Sequence, residues 1–455
     1  MGDLIAPVSG QLQKSINSGS FWTISDEELL HQIHDEFPDE LDRLKRAYSI
    51  RDPNVTLPSS TSPSRLLYGR EYDEVNRTLV GVLALRWLHR GDYETFVDTQ
   101  PPPVKLKRES FHWIRKIFHK GITSPTDLYA LVMSMVVNDL GKDPQLASDY
   151  HSMTGEDISG VNHDMILLKA VKVGLVRCLD RLSPSHKADI IRGMELGAEF
   201  NFGQLAQAEN SPACLSGLLD MKGQPRAFEV RFMEQLLDIA GAAGHVDWTC
   251  AKKLIEPIYQ AYHNVYDVAT GIISGAFGLR DGYDVILIRR AELLRKTGFR
   301  TLDVKRPDDR ALMRLLCMGG AADLETAELY DTAFGSLDQS TKNSLVENLN
   351  RDGSVAQPAV QPTYIPAMLA KGVGNTESGS PDEKKKALQS LLRYLARVLT
   401  FTDNPNQPSE PTSPCVIERS VLGTLKDVLD NKEFKEDPSI LKNVAVPKDE
   451  VAKMR

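Results

Sequence analysis

Between residues 65 and 350, apolar side chains recur at intervals of three and four, while the strict alternation that marks a half-buried strand is scarce. Ser124-Pro125 predicts a helix start, a capping serine followed by proline at the first helical position. Leu128, Leu131, Val132, Met135 and Val136 then trace one face, and the helix should end near Leu140-Gly141, with Gly141 as a left-handed cap. Residues 163–180, 226–240 and 250–270 carry the same periodicity, and Ser25-Asp26-Glu27-Glu28 caps a further helix running toward His34. The expected fold is all-α, with one large helical core domain over 65–350 and helical appendages at both ends.

Breaks in the pattern set the expected boundaries. Residues 52–64, rich in Pro, Ser and Thr, cannot bury enough apolar surface to offset chain entropy, so 1–64 reads as a helical segment plus linker. Pro358, Pro362, Pro366, Gly372, Gly374, Gly379 and Pro381 make 351–382 a second expected linker. Residues 383–402 read as an amphipathic helix, in which Leu388, Leu391, Leu392, Leu395 and Leu399 share one face. That face needs a partner, either its own core or a second copy, so a homo-oligomer through this helix is one expectation. The proline-rich stretch 403–414 makes 403–455 an expected flexible tail.

Composition narrows the class. A chain of 455 residues can bury a substantial core without cross-links, and its five cysteines, Cys178, Cys214, Cys250, Cys317 and Cys415, have no zinc or disulfide spacing. They read as reduced intracellular thiols. The first residues lack the basic and apolar regions of a secretory signal. Gly2 lacks the Ser or Thr that myristoylation wants at position 6, where Ala6 stands. No apolar run approaches the roughly 20 residues needed to span a bilayer. A cytoplasmic location without membrane association is expected. The formal charge of −8 disfavours nucleic acid, and the basic run Lys105-Leu106-Lys107-Arg108 reads as a solvated face.

Candidate chemistry starts at Asn138-Asp139-Leu140-Gly141-Lys142-Asp143, where a helix delivers polar side chains as it leaves an apolar interior. The stretch 110–145 resembles the second motif of the HD superfamily, a helix ending in His-Asp-x-Gly-Lys, with His112 and His119 where that family supplies its first histidine. The resemblance implies a metal-dependent helical enzyme, a phosphohydrolase or a di-iron oxygenase. Position 138 departs from the pattern: an asparagine amide is a poorer ligand than imidazole, so Asp139 assisted by the Asn138 carbonyl would favour Mg²⁺ or Mn²⁺ over Zn²⁺, with iron the alternative.

Further donors follow. His163-Asp164 sits at a helix start, Asp238, His245 and Asp247 flank a stretch of small residues, and His263 and Asp267 project from one helix face. The expected metal set is Asp139, His163, Asp164, His245, His263 and Asp267; the expected catalytic residues are Asp139, Lys142 and His163, with Lys142 neutralising phosphate. Asn138, Gln204 and Gln207 would bind a small polar or phosphorylated substrate through their amides. Asp139 and Asp143, one turn apart if the helix continued, also suggest an alternative, a Mg²⁺-diphosphate-dependent synthase like the terpene cyclases. A non-catalytic helical scaffold is the third reading. Walker, dinucleotide-binding, His-Glu-x-x-His and Gly-x-Ser-x-Gly motifs are absent.

Overall fold

A computed structural model describes residues 10–47, 57–376, 378–400, 415–447 and 453–454. The linker calls over 52–56 and 403–414 and the amino-terminal residues 1–9 lie outside the described residues. The fold is all-α apart from one small sheet. No helix among the described residues is long and apolar enough to cross a membrane.

The chain forms two compact units, one from residues 1–199 and 223–260, the other from 200–222 and 261–455. The division falls inside the stretch that periodicity reads as one core. In the first unit the helix Asp73–Arg90 is buried nearly all round, from Val75 to Leu88, and packs against the helices Arg108–Gly121, Pro125–Val137 and Pro225–Gly241. Two helices cross closely here because glycines face backbone. A methyl at Gly241 would strike the carbonyl of Arg77, and one at Gly81 would stand 2.9 Å from the carbonyl of Leu237. The small residues after Asp238 therefore serve helix packing.

The segment 1–64 is more than an appendage. Leu29, Ile33, Phe37 and Leu41, on the helices Asp26–Glu36 and Pro38–Leu44, are fully buried in the first unit. Ser62, expected in a linker, caps the helix Pro63–Tyr68 and donates to Glu71 at 2.6 Å.

In the second unit the helix Pro381–Leu399 packs against the helices Leu324–Gly335, Gln339–Asn350 and Ile365–Gly374. Leu388, Leu391, Leu392, Leu395 and Leu399 are all buried, so the face expected to seek a second copy is covered by its own chain. The stretch 351–382 is built into the unit. Its strand Ala359–Thr363 pairs parallel with Cys415–Ser420, which pairs antiparallel with Lys453–Met454. The prolines misled because each occupies a position needing no N–H: Pro362 lies on an edge strand and Pro366 in the first turn of Ile365–Gly374. Beyond 414, Leu425, Leu429, Phe434 and Leu441 are buried on short helical segments, so residues 415–447 are part of the core.

Candidate acid-base site

The helix Pro125–Val137 starts as its sequence demands, with the Ser124 hydroxyl accepting from the amide of Asp127. It stops earlier than expected. Asn138 closes it, Asp139 leaves helical geometry, and Leu140–Lys142 form a single 3₁₀ turn. Gly141 is not left-handed. Its missing side chain matters because the carbonyl of His163 sits where a methyl would be, pressing the start of the helix His163–Lys172 onto this turn. That contact brings His163 beside Asp139.

Asp139 is buried, and its Oδ2 pairs with the Lys142 Nζ at 2.9 Å; the same ammonium donates to Oε1 of Glu74 at 2.7 Å. Glu74, in the first turn of Asp73–Arg90, is also held by Arg77 at 3.2 Å. Glu74 and Asp139 thus meet on one ammonium, close enough for a proton on either carboxyl to be donated to the other. Burial, reinforced by the Asp139 charge and hydrogen bond, pushes Glu74 up to about 7. Burial opposes ionisation of Asp139 too, but Lys142, the hydrogen bond from Glu74 and the neighbouring His163 bring it down to about 2. The two carboxyls are thus driven apart, Glu74 toward its protonated form and Asp139 toward its ionised one.

The helix Pro225–Gly241 completes the cluster. The guanidinium of Arg231 donates to Oδ1 of Asn138 at 2.9 Å, pairs with Glu234, and lies 3.9 Å from Asp164. Glu234 also accepts from the Ser134 hydroxyl. Burial raises Glu234 and Asp238, Asp238 with a contribution from the Asp139 charge. His163, one-third exposed, brings solvent to the cluster; its Nε2 is 4.0 Å from Asp139 and 3.9 Å from Asp164. Asn162, not Asp164, caps that helix by accepting from the amide of Met165, leaving the Asp164 carboxylate to face Arg231 and His163.

Of the expected residues, Asn138, Asp139, Lys142, His163 and Asp164 therefore meet. His245 lies half-buried in the turn after Gly241, and Asp247 accepts from Thr99, Thr249 and Lys252. In the second unit, His263 lies 3.9 Å from Asp267, whose other oxygen takes Arg289 at 3.0 Å. There, Gln204 accepts from Gln361 at 2.9 Å and so ties the chain to the sheet, and Gln207 is exposed, donating to the carbonyl of Gly203. His112 faces the carbonyl of Arg108, and the His119 ring lies 5.4 Å from that of His89.

The donor set fits a metal poorly. Lys142 already neutralises Asp139, Arg231 occupies the Asn138 carbonyl expected to assist a cation, and no group of three or more metal-ligating side chains is arranged around one point among the described residues. The aspartate pair of the synthase reading is also split. Asp143 turns away to cap the helix Pro144–Thr154 and binds Arg43 and Arg46 at 2.8–3.2 Å.

Glu74, Arg77, Ser134, Arg231 and Glu234 were not singled out from sequence, whereas Asp238 was named there as a further donor. A usable signal existed: Arg231 and Glu234 lie three residues apart on the buried face of an apolar helix, and a charge pair in that position must be satisfied by something equally buried.

The chain belongs to a family of unknown function, DUF6829, whose model matches residues 30–441. No curated protein and no solved structure matches it significantly.

Proposed function

We propose that this chain, whose family has no assigned activity, is a helical acid-base enzyme acting on a small polar or phosphorylated substrate at the exposed edge of the Asp139 cluster. The observation that carries this reading is the pair of buried carboxyls, Glu74 and Asp139, held on the one Lys142 ammonium at 2.7 and 2.9 Å, with Glu74 pushed up to about 7 and Asp139 down to about 2. Such a pair stores a proton donor and an ionised acceptor side by side in a site from which water is largely excluded. His163 is the group that meets the substrate, and Asp139 orients its imidazole. Lys142 holds the charge of Asp139 in place. The divalent cation that the HD-like motif implies would have to compete with Lys142 for Asp139 and with Arg231 for Asn138, so the reading does not depend on one.

The test is turnover by the full chain of p-nitrophenyl phosphate, bis(p-nitrophenyl) phosphate and nucleotides, each with Mg²⁺, Mn²⁺, Fe²⁺ or EDTA. Product release that disappears in His163→Gln and Asp139→Asn, with circular dichroism unchanged, supports the reading. Turnover in EDTA identifies the metal-free form; strict dependence on added cation identifies the metal form. No turnover of any substrate, with both substitutions altering only the melting temperature, overturns it.

A second reading has its own support. Glu74, Asp139, Asp164 and Glu234 each face a cation, and the participants come from four helices, so the network also suits a clamp that fixes their register.

A further inference from the structure

The first unit also contains a pocket of about 390 Å³ whose lining includes no carboxylate. Arg115, from the helix Arg108–Gly121, enters it with His89 and His119. Trp22 stacks on His89, ring centres 3.6 Å apart and planes within 9°. Leu85, Phe118 and Leu128 supply an apolar wall, and the hydroxyls of Thr123 and Ser124 edge the other side.

The charge balance here is unusual for a protein of net charge −8. Arg115 makes no ion pair among the described residues; its terminal nitrogen donates to the carbonyl of His89 at 3.2 Å, and its Nε is buried without a hydrogen-bond partner. With no carboxylate paired to it, the Arg115 guanidinium keeps its charge uncompensated from within the protein, and its terminal nitrogens are the donors an anion in the pocket would meet. The nearest acid beneath Thr123 and Ser124, Asp127, is already engaged by their hydroxyls, by His186 at 3.1 Å and by Arg226 at 3.2 Å. The volume suits a ligand of modest size, and the lining combines one fixed cation, two imidazoles and an apolar wall.

We infer that this pocket binds a small molecule carrying one carboxylate or phosphate group on an apolar or aromatic body, with Arg115 holding the anion and Trp22, Phe118 and Leu128 the body. This site does not depend on the acid-base reading of the Asp139 cluster. Burial lowers both imidazoles, His89 with further help from His119, Arg115 and Arg90, and His119 from Arg115. At neutral pH both are neutral and offer N–H donors; an arriving anion favours their protonated forms. Affinity therefore rises as pH falls below the ordinary imidazole value of 6.5.

The experiment is titration of the full chain with benzoate, phenyl phosphate and inorganic phosphate, followed by tryptophan fluorescence and calorimetry. Benzoate or phenyl phosphate should bind more tightly than inorganic phosphate, quench fluorescence in the wild type but not in Trp22→Phe, and weaken about tenfold or more in Arg115→Gln. Arg115→Lys should recover part of that loss. If Arg115→Gln fails to fold, quenching in the wild type that is absent from Trp22→Phe carries the test alone. Absence of binding by all three probes, or binding that Arg115→Gln and Trp22→Phe leave unchanged, overturns the inference.

Discussion

The two units bury charge in opposite ways. In the second, Arg314 is fully enclosed and pairs with no carboxylate among the described residues; its guanidinium donates to the backbone carbonyls of Ala208, Glu209, Asn210 and Leu349 at 2.7–3.1 Å. Tyr283 donates to two of the same carbonyls at 2.8 Å. Ala208 adopts a positive φ of 49° as part of the turn that presents them. In the first unit, Asp139, Glu74, Asp164, Glu234 and Asp238 share Lys142, Arg77 and Arg231. Backbone carbonyls cannot gain or lose a proton, so the Arg314 arrangement is fixed at every pH and serves architecture. Carboxyls can, and one edge of their cluster reaches solvent at His163. The contrast teaches that buried charge alone is no sign of chemistry; exchangeable protons with an outlet are the better indicator.

Substitutions can break this comparison, starting with the largest effect. Arg314→Leu should cost the second unit about 5 kcal/mol, since it strands several buried carbonyls at once. Measured in a Glu209→Gln background, which removes the titrating carboxyl that Arg314 influences, chemical denaturation should show that loss unchanged between pH 5 and 8; a strongly pH-dependent loss would erase the distinction between the two sites.

Lys142→Met should cost about 3 kcal/mol at pH 7 by leaving Asp139 buried without its cation. The Asp139 pKa is depressed in the folded state, so the stability it contributes is present above the ordinary aspartate range and is lost as pH falls toward 2. The cost of Lys142→Met should shrink over that same acid range, as urea melts of wild type and variant would record.

Gly141→Ala should cost about 2 kcal/mol through the collision with the carbonyl of His163. It should also move the His163 imidazole, visible as a changed titration in its NMR resonances. An unmoved resonance would show that Asp139 and His163 are not coupled through this turn.

Glu209 sharpens the contrast from the other side. It accepts from the amide of Ile365 at 2.9 Å, yet burial still raises it to about 7 from 4.5. A carboxyl raised on folding contributes stability that is present below 4.5 and lost as pH rises through about 7. Glu209→Gln removes that titration. The variant should gain roughly 2 kcal/mol on wild type between pH 4.5 and 8, read from paired denaturation curves. A flat difference would place Glu209 with the fixed arrangement of Arg314.

Local signals were legible because they are written in neighbouring residues. Ser25 and Ser124 cap the helices they precede, and the leucines of 383–402 lie on one buried face. Asn138, Asp139, Lys142, His163 and Asp164 were also found, since the helix ends that carry them are visible in the chain. Their partners were not. Glu74 and Arg231 sit on helices whose sequence reads as ordinary core, 65 and 92 residues from Asp139.

The sequence by itself determined the all-α class, the helix starts at Ser25 and Ser124 and the helix ends from which the site is assembled, because capping, turn chemistry and apolar periodicity act within a few residues. Only the tertiary structure decided that Lys142 would bind Asp139, that Asp143 would turn to Arg43 and Arg46, and that Glu74 would join Asp139 on the Lys142 ammonium. Those outcomes depend on which helices come within hydrogen-bonding reach, and that is set by close approaches at Gly81, Gly141 and Gly241 over separations that no local pattern encodes.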